Sequence, residues 1–438
     1  MVSQNDRCFN DSNLKRRGIV SSREDRKQSP FYPLVACART KRTWVQHERL
    51  EDALDCRVPM ITDTFTSFLV QVIQIVCGGM HTLALTADGH VYSWGVNDEG
   101  ALGREAHRDD AGSENHPAKV NFPSGERIVQ LSAGDSHSVA LSSTGDVFAW
   151  GSFRDSGGVM GFSQEVKIEH KPVKVHTTEK VTMISSGADH VAAITNRSKV
   201  ITWGCGDQGQ LGRTGERFIE RFGGKVAQFV DPRPIYGNLD GKKMSSKGTA
   251  VFVACGSYCT FVVTENGNVF AWGLNNYGQL GLPLTESNIV RTPTKVPDLC
   301  GKGIFALAGG QHHSLALARP GIVYSFGRST YGRLGRAAEA AQADEAFSTP
   351  EMVEGLPNDS EVVSICAGQS CSGAVLDNGN AWLWGSNTSY QIGKGDDDSD
   401  AIAPTKLRET KTTGRMTIQH VSFGGQHSAL VAVRRDDA

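Results

Sequence analysis

The 438-residue chain has little that would announce a covalent chemistry or a membrane role. It has no long apolar run: Phe68 to Val76 is interrupted by Gln71 and Gln74 and is far shorter than the ~20 residues needed to span a bilayer, so no membrane segment is expected. It has no excess of one charge. Lys and Arg number 45 against 47 Asp and Glu, a formal net charge of −2, which argues against a wholly basic nucleic-acid binder. None of its ten cysteines stands in a C-x-x-C, so neither a zinc pattern nor a redox pair is present. Cys77, Cys255 and Cys366 fall at apolar strand positions, where a buried free thiol is expected. No secretory leader is recognisable, and a reducing nuclear or cytosolic setting is expected. A helical period is nowhere sustained.

What the chain does have is glycine, 49 residues, and a repeated phrase. Gly-x-x-His or a close variant occurs at Gly78–His81, Gly134–His137, Gly187–His190, Gly256–Cys259, Gly310–His313, Gly368–Cys371 and Gly424–His427, spaced by 53 to 69 residues. A Trp-Gly or Phe-Gly and a Gly-x-Leu-Gly phrase follow most copies. Self-similarity at such a period means units that cannot bury their apolar faces alone and must stack on their neighbours.

Within the second unit, Ile128–Ser132, Ser138–Leu141 and Asp146–Trp150 read as short strands separated by the turns at Gly134 and Gly145. Equivalent strands recur at Val91–Trp94, Val200–Trp203, Val269–Trp272, Val323–Phe326 and Ala381–Trp384. Four short antiparallel strands per unit and seven units predict an all-β, seven-bladed β-propeller over residues 66–438, with an open solenoid as the structural rival. The repeated Trp or Phe is expected in the core between blades, and most repeat histidines are expected to tie loops together. Residues 1–65 read as a modestly basic tail, with twelve Lys/Arg against eight Asp/Glu over the first 60 positions.

Unit-specific phrases go further than the generic repeat. Asn97-Asp98-Glu99-Gly100-Ala101-Leu102-Gly103-Arg104, Trp150-Gly151-Ser152-Phe153-Arg154-Asp155, Gly204–Arg213 and Gly309-Gly310-Gln311-His312-His313 make the chain resemble the regulator of chromosome condensation family. The founder of that family is the guanine-nucleotide exchange factor for the Ran GTPase. The resemblance implies a nuclear, chromatin-associated exchange factor with Ran, nucleosome histones and DNA, and nuclear import receptors as partners. It implies no cofactor of its own and no covalent chemistry, since exchange acts on the Mg-nucleotide of the GTPase. The alternative is a propeller that docks partners or nucleosomes without exchange activity.

Carried over position by position, the resemblance places Asp135, Asp189, His312 and His427 on the GTPase-binding face, with Arg213 as a further candidate. Asp135 and Asp189 are read as standing at the same place in adjacent repeats, next to the repeat histidine, where a carboxylate could also simply close an Asx turn. Phe153-Arg154-Asp155-Ser156-Gly157-Gly158-Val159-Met160 matches a wedge that pushes on the nucleotide site. A Gly-bearing hairpin suits close backbone approach, and an ordinary blade loop is the bland reading. Arg217 and Arg221 lie where the family has a switchback loop toward the nucleosome. Lys15-Arg16-Arg17 is a candidate for nuclear targeting or DNA phosphate contact.

Two features point the other way. After His427 the chain ends without a Trp-Gly and Gly-x-Leu-Gly half, and residues 1–70 contain no such phrase. Either Thr64–Ile75 supplies a makeshift closing strand or this N-terminus is an altered start; an unpaired strand edge would weaken closure. Gly204-Cys205-Gly206-Asp207-Gln208-Gly209 satisfies G-x-G-x-x-G but runs into the repeat's own turn rather than a helix, and it is rejected as a dinucleotide loop.

Overall fold

A computed structural model describes residues 43–45, 71–106, 111–163, 165–213, 230–235, 238–239, 242–243, 249–336, 345–409 and 413–435, all within the compact unit Val35–Ala438. The architecture is an all-β propeller. Six sheets have four antiparallel strands each. In the first sheet these are Val72–Cys77, His81–Thr86, Val91–Gly95 and Ala118–Val120; in the second, Ile128–Ala133, His137–Ser142, Val147–Gly151 and Glu169–Val175. The third is built on Val181–Ser186, His190–Thr195 and Val200–Gly204, the fourth on Ala250–Gly256, Cys259–Thr264 and Val269–Leu274. The fifth uses Ile304–Gly309, His313–Ala318 and Ile322–Arg328, the sixth Val362–Ala367, Cys371–Leu376 and Ala381–Gly385. A further sheet has three strands, Met416–Phe423, Ser428–Arg434 and Thr43–Val45.

The first strands of successive sheets neighbour one another and form the inner lining, and Met416–Phe423 neighbours both the sixth sheet and the first. Lining strands would leave bare edges, and at the first four sheets side chains from the preceding blade cover them. Gln74 donates to the Leu131 carbonyl at 3.0 Å and accepts from its N–H at 2.8 Å; Gln130 treats Ile184 the same way. Ser132 accepts from the Ser186 N–H at 2.8 Å and Ser422 from the Cys77 N–H at 3.0 Å. The last of these ties the end of the chain to the first blade.

The second strand of each four-stranded sheet is buried at every position, and the third ends on Trp94, Trp150, Trp203, Trp272, Phe326 or Trp384, all at most 2% exposed. The repeat residues form a relay from blade to blade. His81 Nε2 lies 2.9 Å from Ser138 Oγ; Ser138 donates to the Ala101 carbonyl at 2.9 Å, and Trp150 Nε1 donates to the same oxygen at 2.7 Å. Because Ser138 gives its proton to Ala101, His81 must be the donor at Nε2. The arrangement recurs as His190, Thr260, the Gln210 carbonyl and Trp272, and as His313, Ser372, the Arg333 carbonyl and Trp384. It also explains the last Gly of Gly-x-Leu-Gly: Gly103 has φ +64°, and a Cβ there would sit 2.7 Å from Trp150 Nε1.

Thr64–Ile75 does not supply the closing strand: from Val72 the chain forms the first strand of the first sheet, and 64–70 lie outside the described residues. The edge of Ser428–Arg434 is instead paired by Thr43–Val45, with Trp44 opposite Ala432. Apart from those three residues, the expected tail lies outside the described residues, as do Lys15, Arg16, Arg17, Arg217 and Arg221. Cys77 and Cys255 are buried free thiols, pushed up to about 12 by burial; Cys366 is part-buried and also free.

Candidate functional site

The Gly-x-x-His loops gather at one end of the propeller and are stitched by backbone bonds from blade to blade. Gly79 N–H reaches the Gly134 carbonyl at 3.1 Å, Asp135 N–H the Ala188 carbonyl at 2.8 Å, and Gly425 N–H the Gly79 carbonyl at 3.1 Å. The two positions between Gly and His thus face the mouth of the ring. Asp135 takes the first and Asp189 the second, so the two are offset by one residue rather than equivalent.

The expected wedge is a two-stranded hairpin, Arg154–Asp155 paired with Gly158–Val159. Gly158 has φ +115°, a conformation side chains rarely adopt. Arg154, Ser156, Gly157 and Val159 are exposed. Phe153 and Met160 are not part of the projecting tip. Phe153 is 1% exposed and packs on His137 (ring centroids 4.7 Å) and Phe162 (6.2 Å), with Met160 beside them, so these residues anchor the hairpin in the core. Asp155 accepts from the Gly157 N–H at 2.8 Å, which gives its carboxylate a turn-closing task.

Asp189 does something different. Its Oδ1 accepts the Arg154 N–H at 2.8 Å, across 35 residues, so it holds the base of the hairpin rather than its own turn. The Arg154 guanidinium pairs with Glu99 on the other side. Burial pushes the Asp189 carboxyl from its ordinary 3.8 up to about 7, with the negative charges of Asp135 and Glu99 adding and Arg154 opposing. Asp135 is solvent-exposed at the mouth, and its carboxyl is also raised, by the surrounding protein, with Arg154 pulling it back.

Beneath the hairpin the relay is broken. Other blades carry Thr82, Ser138, Thr260, Ser314 or Ser372 at the second position of the second strand, but the third sheet has Val191. Neither ring nitrogen of the fully buried His137 has a hydrogen-bond partner, and burial lowers it to about 3. Among the described residues, the hairpin follows the third strand of the one blade whose repeat histidine is released from that relay in this way.

The remaining candidates separate. His312 lies at the mouth, with Tyr277 5.1 Å and Tyr258 6.4 Å from its ring. His427 does not share that position. It is 7% exposed and bonds Thr82 Oγ1 at 3.0 Å, the relay role of His81 and His313; Gln426 stands where His312 does. Arg213 is 5% exposed, and its side chain offers no surface to a partner. At the same repeat position Arg104 donates to the Ser93 carbonyl at 3.0 Å and Arg336 to Ser325 Oγ at 3.2 Å, so this arginine braces the third strand.

The sequence reading missed Glu99, the hairpin's other tether, and Asp207, whose Oδ2 is 3.5 Å from Ser156 Oγ. Each lies in the loop after a third strand. With Asp135, Asp155 and Asp189 they make the mouth carboxylate-rich over the first three blades.

The family described as RCC1-like domain matches residues 46–430. The mouse regulator of chromosome condensation is 39% identical over 385 residues, covering 88% of this chain and 85% of its own. Guanine nucleotide exchange factor SRM1 of Saccharomyces cerevisiae is 34% identical, covering 84% and 80%. Prp20p of Saccharomyces cerevisiae, whose structure was solved with a study of its binding to Gsp1p and histones, superposes with a TM-score of 0.77 at 30% identity over 90% of this chain and 92% of its own. The same yeast protein bound to Kap60 gives 0.79 at 29% identity over 97% and 98%. With its fold, loop phrases and relatives in agreement, the chain belongs to the regulator of chromosome condensation family.

Proposed function

We propose that this chain is a guanine-nucleotide exchange factor for the small GTPase Ran, working on chromatin in the nucleus and generating Ran-GTP there. The observation that carries the reading is the hairpin Arg154–Val159, held at its base by Asp189 and Glu99 at the rim of a carboxylate-rich mouth. The relatives named above, an exchange factor and a protein studied for binding to Gsp1p and histones, support it.

Exchange needs no bond made or broken. A protein that binds the nucleotide-free GTPase more tightly than the loaded one must, by linkage, weaken nucleotide binding by the same factor. The mouth supplies negative charge for a basic GTPase surface, and the hairpin supplies a stiff, Gly-bearing edge with Val159 exposed to press on the nucleotide site. Tethering at both sides means this edge is already ordered before the partner arrives, which lowers the entropy cost of docking.

The three-stranded sheet acts as the seventh blade in this reading. Its support is the lining strand between the sixth and first sheets, together with the Ser422–Cys77 and His427–Thr82 bonds. Arg217 and Arg221 and the basic tail are assigned to nucleosome histones and DNA, and import receptors are further partners, in line with the Kap60-bound relative.

The test is release of a fluorescent GDP analogue from Mg²⁺-loaded Ran by wild type and Asp135→Ala. Acceleration by wild type that is lost in the variant is expected. No acceleration by folded wild type would overturn the reading and leave a docking propeller.

A further inference from the structure

The mouth is not uniform. Over the first three blades its loops carry Glu99, Asp135, Asp155, Asp189 and Asp207; over the next two they carry Tyr258, Tyr277, His312 and Tyr331. Tyr258 and His312 take the loop position that Asp189 takes in the third blade. Tyr277 and Tyr331 lie in the loops after the third strands, as Glu99 and Asp207 do. Tyr258 and Tyr277 both flank His312, and Arg328 Cζ lies 4.6 Å over the Tyr277 ring; Tyr331 stands in the corresponding loop of the fifth blade, with the buried Arg333 5.3 Å from its ring.

Packing does not explain the exposure of Tyr331. Tyr331 is 47% exposed, and its backbone is left-handed, φ +63°, which costs a non-glycine residue energy that a glycine there would not pay. Its one ring contact among the described residues is the Arg333 guanidinium, and nearly half of its surface remains open to solvent. Tyr258 marks the seam between the two halves: burial and the charges of Asp135 and Asp189 push its hydroxyl above the usual range, while its ring faces His312.

Resting on the exchange reading above, we propose that Tyr258, Tyr277 and Tyr331 are the binding-energy half of the GTPase site. In this division of labour the hairpin acts on the nucleotide side. The tyrosines instead grip a GTPase surface that pairs apolar stems with basic heads, which would lie across the seam with the stem on a ring and the charge toward Asp135 and Asp189. Tyrosine and arginine at the centre of a face are the residue types that dominate association energy, and cation–π contact with a neighbouring carboxylate suits a lysine or arginine partner.

The experiment is steady-state exchange on Ran, with KM and kcat for wild type, Tyr258→Leu, Tyr277→Leu and Tyr331→Gly, and a thermal midpoint for each. The expected result is a KM for Ran raised at least fivefold, kcat within twofold, and a Tyr331→Gly midpoint equal to or above wild type. KM values within twofold of wild type in all three variants overturn the proposal while leaving exchange intact. A rise in KM only where the midpoint falls also overturns it, because the rings would then be structural. An inactive wild type removes the exchange reading and this proposal together.

Discussion

Asp189 is a carboxylate kept in a place that disfavours its charge, and Asp189→Asn should therefore stabilise the protein in a pH-dependent way. Asn keeps the oxygen that accepts the Arg154 N–H and discards the charge that burial, Asp135 and Glu99 oppose. The unfolded chain releases the Asp189 proton near its ordinary 3.8, whereas the folded protein holds it to about 7. Well below pH 3.8 both states are protonated and this group costs nothing. Between pH 4 and 7 the unfolded state gains by ionising while the folded state does not, so stability is lost as pH rises, and the loss is complete above pH 7. A span of about three pH units is worth at most about 4 kcal/mol, and partial solvent access reduces that to about 2 kcal/mol. Urea midpoints of wild type and Asp189→Asn at pH 4.5 and pH 8 test it, with the difference between the proteins as the readout. The expected result is a small advantage for the variant at pH 4.5, a clearly larger one at pH 8, and slower exchange on Ran. A variant equally destabilised at both pH values would refute the reasoning and make Asp189 a structural turn residue.

Other perturbations follow from the relay. Val191→Thr should raise stability by about 1 kcal/mol, against the usual cost of a buried hydroxyl, because it gives His137 the partner its counterparts have; a lower urea midpoint would sink this. Gly103→Ala should cost more than about 2 kcal/mol, since it combines a left-handed φ with a Cβ 2.7 Å from Trp150 Nε1; a loss under about 0.5 kcal/mol would show that the indole can move. The buried histidines also make acid unfolding steep. His81, His137 and His190 are lowered by burial to about 3 and His427 to about 4, so as pH falls below 6.5 the unfolded state takes up protons that the folded state refuses. Stability should fall by at least about 3 kcal/mol per pH unit between 6 and 5, the signature of two or more protons; a slope below one proton would mean that the imidazoles reach solvent.

The sequence made legible what is repeated. Trp150 and Gly103 recur because each blade needs the same contact with the next, and repetition turns a three-dimensional requirement into a countable phrase. It was misleading where one residue type serves two positions. His312 and His313 are adjacent, and only the bonds separate the mouth residue from the relay residue; His427 belongs with His313. Arg213 reads as a surface charge because burial of a guanidinium leaves no mark in a sequence. Thr43–Val45 could not be read as a closing strand because three residues that pair through their backbone need no particular side chains. The tyrosines Tyr258, Tyr277 and Tyr331 escaped for the opposite reason: they lie in separate loops that come to the same end of the ring only once the blades are stacked.

Three of the places where this chain breaks its own rule lie beside the proposed GTPase-binding face. A blade interface is served by a histidine, a hydroxyl, a carbonyl and an indole, and a residue that departs from that set gives up cohesion. Val191 leaves His137 unpaired below the hairpin, Asp189 holds a disfavoured charge beside it, and Tyr331 raises a ring on a strained backbone. All three departures lie at the same end of the ring, where the loops gather and the relay meets solvent. A fold selected for stability alone would correct each with one substitution: Thr at 191, Asn at 189, Gly at 331. If those substitutions stabilise the protein and impair exchange, the stability given up at the mouth is what ordered the GTPase-binding face.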